Sequence, residues 1–403
     1  MPVLGVLGCG LLLATSIGGL RGNLGQIGGQ DEPQVVAAAR LAFDVESMDG
    51  HVADILLVGD APGVSVTRSD AYHDFESELS DANTQLELLG NSISTVPGGP
   101  ATFVSIENQL SQYTQNVSYA MYIDAQSHTL SAAKPPSAAL QEYQQASALM
   151  NKETTGVLAQ TQLLYTVEGL AESAPVNHGL GTILHLEVAC GLLIAFIAIS
   201  LLMVQRMLSR SFRRTLNPLL ALTTVTSVIF GVLLFTALGA ARSAYNAQDL
   251  TGSDSVTALW QARATAADMH AAESRWLLEN DTVDQQVFTA GQTTISAVPN
   301  LPPTVTNALV QYLSNNEHLD TFADSPAGKL AAVTFNTGPE NAAYEKFDSG
   351  LAQVIGGEQQ AFATATARGE NGLVTWLWLP WVWMLATIAL IVFACVPRLR
   401  EYR

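Results

Sequence analysis

Cysteine is nearly missing from this chain. Three occur in 403 residues, and Cys9, Cys190 and Cys395 all fall inside apolar runs. The polar segments therefore have no disulfide to rely on, and whatever folds there is held by packing and polar contacts. Basic residues are scarce too: 18 Lys and Arg stand against 36 Asp and Glu, a net charge of −18. That balance gives no expectation of nucleic acid as a partner. Also missing are a Gly-rich phosphate loop, a paired metal motif and a nucleophile elbow in a fitting context. No enzymatic activity and no cofactor are expected. The histidines are dispersed without a spacing that puts two on one face, so no metal site is expected either.

Against these absences stand four apolar runs, at 2–20, 182–204, 217–240 and 373–396. Each matches the roughly 20 residues an α-helix needs to cross the hydrocarbon core of a bilayer. The expected fold class is an all-α membrane protein with four transmembrane helices. Between the second and third runs, residues 205–216 hold Arg206, Arg210, Arg213 and Arg214, and the tail 397–403 holds Arg398, Arg400 and Arg403. Short Arg-dense loops stay in the cytoplasm. The expected layout is a plasma-membrane protein with both termini and the Arg loop inside and two large domains, 21–181 and 241–372, outside. Charge partitions accordingly: −15 over residues 22–181, −9 over 241–370 and +6 over the loop and tail together. The first span carries no preceding basic residue, so the Arg loop is the feature that sets the orientation.

The two outer segments repeat one plan. With an offset of 221 residues, Val35 aligns with Val256, Met48 with Met269, Leu56 with Leu277 and Asp60 with Asp281. This is the pattern of an internal duplication. In the first segment Ala38, Leu41, Val45, Met48, Val52 and Ile55 form one helical stripe, with Asp44, Glu46, Asp49 and Asp54 off it. A second helix is expected over about 70–90, a third along Ile106 to Ala120 and a long fourth along Tyr143 to Leu164. Together they predict an up-and-down bundle. Glu76, Glu78, Asp81 and Glu87 read as a solvated helix face. In the second segment Ala258, Ala262, Thr265, Met269, Ala272 and Trp276 form the matching stripe, and Val298 to Pro303 breaks the middle. Within the first span Gly10, Ala14 and Gly18 recur every four residues as a surface for close helix packing.

The segments Arg213 to Ala221, Ala240 to Ala244, Ser255 to Arg263, Glu273 to Leu278 and Asp31 to Arg40 resemble GlnX, a four-span membrane protein family of actinobacteria. The resemblance covers most of the chain in layout; its motifs are short and carry no catalytic residue. It implies a protein that receives a signal from a solute-binding lipoprotein sensing amino acids such as aspartate and glutamate. The signal would pass to a soluble cytoplasmic serine/threonine kinase. The chain departs from the family in lacking a basic segment before its first span, and no family binding residue carries over. The Arg residues named above are the candidate contacts for the cytoplasmic partner. Two other readings stay open: an envelope scaffold or accessory transporter subunit, and a chemoreceptor-like sensor that binds a small ligand between its own helices.

Overall fold

The computed structural model describes the backbone of residues 2–91, 98–127, 132–152, 154–212, 218–247, 253–323 and 328–400. Within these, the side chains at 2, 4, 30–32, 167–177, 207–212, 247, 253–255, 320, 323 and 395–400 are left undescribed. Every regular element among the described residues is helical. In chain order they are α1 (Pro2–Gln26), α2 (Glu32–Val58), α3 (Arg68–Gly90), α4 (Gly99–Ser127), α5 (Ser137–Asn151), α6 (Val157–Phe212) and α7 (Pro218–Ala247). There follow α8 (Ser253–Glu279), α9 (Thr282–Ser296), α10 (Pro303–Ala323), α11 (Gly328–Phe335), α12 (Asn341–Val374) and α13 (Leu379–Arg400). Short π-helical turns, Ile27–Asp31 and Asn336–Glu340, precede α2 and α12, and a 3-10 turn, Thr375–Leu377, precedes α13.

Local chemistry sets these boundaries. Thr67 and Asp70 close a capping box on α3: Asp70 N donates to Thr67 Oγ1 and Thr67 N donates to Asp70 Oδ2. Asp281 caps α9 by accepting from Val283 N at 3.0 Å. Pro303, which has no N–H to lose, starts α10. The long fourth helix expected from Tyr143 to Leu164 is instead divided into α5 and α6. Lys152 takes an extended conformation at the end of α5. At Gly156 the chain folds so tightly that a Cβ there would overlap the Met150 carbonyl oxygen.

Among the described residues, four helical runs are long and apolar enough to cross a membrane: Gly5–Val58, His178–Arg206, Pro218–Asn246 and Gly328–Ala394. The first and last far exceed one crossing, and their acidic stretches belong to a separate compact unit, which leaves α1 and α13 as the membrane-length parts. The chain divides into two such units. The first comprises residues 1–31, 172–252 and 360–403 and the second 32–171 and 253–359.

The membrane unit packs α1 against α13 and α13 against α7. Leu13, Ile17, Leu20 and Leu24 of α1 join Cys190 and Ile197 of α6, Leu234 and Leu238 of α7, and Trp383 and Met384 of α13 in its core. Phe230 stacks on Trp383 at 4.3 Å between ring centroids. Its outer faces display Leu192, Met203, Val232, Leu385 and Phe393 to the surroundings. Apolar exposure on that scale fits lipid rather than water.

The second unit is built from both acidic segments. In it α2 and α8 pack directly on each other, and each also packs against helices of its own half. The stripe of α2 meets Phe75, Leu86, Ile106, Tyr113, Tyr143 and Leu164 in one core. Ala39 and Phe43 of α2 join Trp260, Met269, Phe288, Tyr312 and Phe347 in another. Both helices are 27 residues long and start 221 residues apart. Between them, a Cβ on Gly50 would lie 3.2 Å from the Cβ of Ala271, its own equivalent at that offset. Equivalent positions meeting each other is the signature of a local two-fold axis.

Candidate functional site

The seam between α2 and α8 holds the chemistry. Asp44, Glu46, Asp49 and Asp54 fall off the apolar stripe of α2, yet they are only 1%, 9%, 1% and 8% exposed. Glu46, Asp49 and Asp54 face α8, while Asp44 meets Glu78 and Asp81 of α3. A buried carboxylate demands a partner, and α8 supplies one in Arg275. Its Nη1 lies 3.0 Å from Asp49 Oδ2, its Nη2 2.9 Å from Asp268 Oδ1 and its Nε 3.0 Å from Asp284 Oδ1. Tyr113 donates to Asp49 Oδ1 at 3.1 Å. Burial pushes the Arg275 pKa down, but Asp49 and the other acids outweigh it and hold the guanidinium charged beyond its usual range. Burial raises Asp49, and the same arginine opposes the rise.

One turn back along the seam sits His270. It is the positional equivalent of Asp49, and Asp54, the equivalent of Arg275, acts on its charge. The local two-fold thus pairs an acid with a base twice, with the roles exchanged. His270 Nδ1 lies 3.4 Å from Glu273 Oε2 and 3.4 Å from Glu340 Oε2, and its ring stacks on Tyr344 with centroids 4.2 Å apart. Tyr312 donates to Glu273 Oε2 at 3.1 Å and Asn316 to Glu273 Oε1 at 2.6 Å. Burial lowers the His270 pKa, but Glu340 and Glu273 reverse that and raise it well above the ordinary histidine value. Ser274 donates to Asp54 Oδ1 at 2.5 Å and accepts from Asn336. His51, by contrast, is pushed down to about 4 by burial and stays neutral.

A third cluster lies further along α2. Arg263 grips Asp348 with Nε at 2.6 Å and Nη2 at 2.8 Å and lies 3.9 Å above the Phe43 ring. Asp44 has no hydrogen-bond partner on either oxygen. Burial, with Glu78 adding to it, pushes its pKa to about 8, while burial lifts Glu78 to about 7. The solvated face predicted for α3 is therefore half-buried at Glu78 and Asp81, where it meets Asp44.

One hollow opens onto these groups, and a separate cleft lies off the seam. A cavity of about 380 Å³ is bounded by Asp54, Asp74, Glu78, His270, Tyr344 and Asp348, so its wall is acidic. A cleft of about 720 Å³ between α2, α3 and α4 is mostly apolar, with Tyr72, Tyr122 and Arg68 on its rim. Arg68 is anchored there by Asp124 at 2.6 Å and Asp60 at 3.4 Å.

The residues singled out from the sequence lie in the membrane unit. Arg206 is exposed near the end of α6. Arg213 and Arg214, and the side chains of Arg210, Arg398 and Arg400, lie outside the described residues. Gly10 is buried, and a Cβ there would stand 2.8 Å from Met384 Sδ. Ala14 is half-buried, and Gly18 is exposed, with no neighbour within 4 Å of where a Cβ would stand. Steps of four residues advance about 40° beyond a full turn each time, so the series rotates off the packing face that Leu13, Ile17 and Leu20 follow. His270, Glu273, Arg275 and Glu340 were legible only indirectly. Basic residues are rare in the acidic segments, and Pro339 inside a helical pattern marks the irregular turn that carries Glu340.

Residues 23–174 match the family of the actinobacterial sensor domain. The match takes in the whole first half of the second unit, from α2 to the start of α6, and fits a sensing or signalling role. No curated protein and no solved structure matches the chain.

Proposed function

We propose that this chain is a non-enzymatic transmembrane transducer. Its acidic unit lies outside the plasma membrane, and its Arg-bearing loop and tail lie in the cytoplasm. The observation that carries the reading is α6. Val157 and Leu164 at its start pack in the core of the acidic unit, Ile183 to Leu201 pack in the core of the membrane unit, and no break interrupts its 56 residues. A signal that favours one arrangement of the outer helices has a continuous path to Arg206 and the residues after it. A ligand or partner drives such a device only through a difference in affinity for its two arrangements.

The sensed input in this proposal is an amino acid, aspartate or glutamate, delivered by an extracytoplasmic solute-binding lipoprotein. The output is a soluble serine/threonine kinase at Arg206, Arg210, Arg213, Arg214, Arg398 and Arg400. The acidic wall of the α2–α8 cavity supports delivery by a separate protein, since like charge opposes direct capture of a dicarboxylate. In-cell crosslinking of the tagged chain, with and without added aspartate or glutamate, tests the reading. The expected result is recovery of a binding protein and a kinase in yields that change with solute. Constant partners from the envelope or a transporter would make the chain a scaffold.

The 720 Å³ cleft favours a second reading, direct binding of a small, largely apolar ligand beside Arg68. It predicts that the ligand raises the unfolding temperature of the purified chain without any partner, and that Arg68→Ala abolishes the rise.

A further inference from the structure

Glu340 is fully buried, yet neither of its carboxylate oxygens accepts a hydrogen bond. It faces His270 and Glu273, and one atom from each of the three lies within 4.8 Å of the others. We propose that His270, Glu273 and Glu340 bind a single divalent transition-metal cation of the zinc class.

The spacing supports a shared ion over direct hydrogen bonds. A charge-assisted N–H···O contact runs to about 2.7–2.9 Å, whereas both contacts from His270 Nδ1 are 3.4 Å. Ligand atoms around a tetrahedral ion with bonds of about 2.0–2.2 Å stand about 3.3–3.6 Å apart, which is the spacing from His270 Nδ1 to each of the two carboxylates. The donor set, one imidazole and two carboxylates, suits such an ion and leaves a fourth position for water or a ligand. Charge argues the same way. A divalent ion would take the place of the proton that the two carboxylates hold on His270, and its two charges would offset theirs.

The fold prepares the ligands. His270 and Glu273 are three residues apart on α8 and share a face. Glu340 is brought to them by the π-helical turn around Pro339, and irregular turns of that kind are frequent where a helix serves a site. Asn316 and Tyr312 hold Glu273 by hydrogen bonds, and Tyr344 stacks on the imidazole, so the ligands are oriented from behind. His270 also borders the 380 Å³ cavity, which supplies an entry path for the ion.

The test uses the full chain in detergent, stripped with chelator and dialysed against Zn²⁺. One ion per chain is expected, with a rise in unfolding temperature. Glu340→Gln and His270→Gln should each weaken binding by more than about 100-fold, beyond what loss of a supporting group costs. Asp44→Asn, in the other acidic cluster with Glu78 and Asp81, should leave it unchanged. X-ray absorption on Zn²⁺ bound to the unaltered chain should show one imidazole among oxygen ligands, a readout that does not depend on the variants folding. Absence of stoichiometric binding, loss with Asp44→Asn, retention in both ligand variants, or a shell without imidazole would each overturn the proposal. None of these outcomes depends on the signalling role.

Discussion

Removing Arg275 is expected to destabilise the second unit strongly. Three carboxylates converge on it within 3.0 Å, and Asp49 among them has no exposure to water worth the name. Removing one partner of a buried ion cluster leaves uncompensated charge and typically costs about 3–5 kcal/mol. Arg275→Met is therefore expected to lower the unfolding temperature sharply. Arg275→Lys should recover little of it, because a single ammonium cannot address three acids through a planar fork. Calorimetry of the purified chain checks both. Asp44 makes a prediction of a different kind. In the unfolded chain its carboxyl ionises near pH 4, while in the fold it holds its proton to about pH 8, facing Glu78 and Asp81 as well as Arg40 and Arg263. The folded state then binds the extra proton between those values. Its contribution is complete below about pH 4 and is lost as pH rises to about 8. Glu78, lifted to about 7, acts in the same sense. The unfolding temperature should fall between pH 5 and pH 8.5, and Asp44→Asn should flatten that slope.

At the scale of elements, α6 makes the most direct prediction. Inserting one alanine after Thr166 turns everything downstream by about 100°, whereas seven residues return it to within about 20° of its phase. The single insertion should abolish solute-dependent change in partner yield while the protein still enters the membrane, and the seven-residue insertion should restore part of it. The elements themselves were largely readable. The stripes on α2 and α8, the third helix from Ile106 to Ala120 and the break at Val298 to Pro303 all follow from spacing and from residues that resist helix. The division of α5 from α6 was not, because it depends on a tight turn at Gly156 that no periodicity announces. The acids of α2 fall off its apolar stripe, and the rule that finds the stripe gives them no partner. A periodic pattern reports the polarity of a face and is silent about a second polar helix that will cover it. Arg275 reaches Asp49 of α2, and Glu340 reaches His270, only through long-range packing that lies beyond any local window.

The whole molecule is organised by repetition. Two helices of equal length, 221 residues apart in the chain, meet with Gly50 against Ala271, and around that point the pairing of Asp49 with Arg275 is mirrored by that of His270 with Asp54. The correspondence fades outward. Asp281 caps α9, but its equivalent Asp60 instead pairs with Arg68, and Thr67 caps α3. Such a seam, polar and closely packed on both sides, is the place where two arrangements of the unit would differ. In the proposed transducer, motion at this seam carries the signal. A cysteine pair at Gly50 and Ala271 tests it most directly, since their Cβ positions, 3.2 Å apart, are near the separation of about 3.5–4.5 Å that a disulfide needs. Formation of the bond in intact cells, followed by loss of the solute-dependent change in partner yield and its return on reduction, is the predicted result. A bonded protein that responds to solute as fully as the unaltered chain would contradict it.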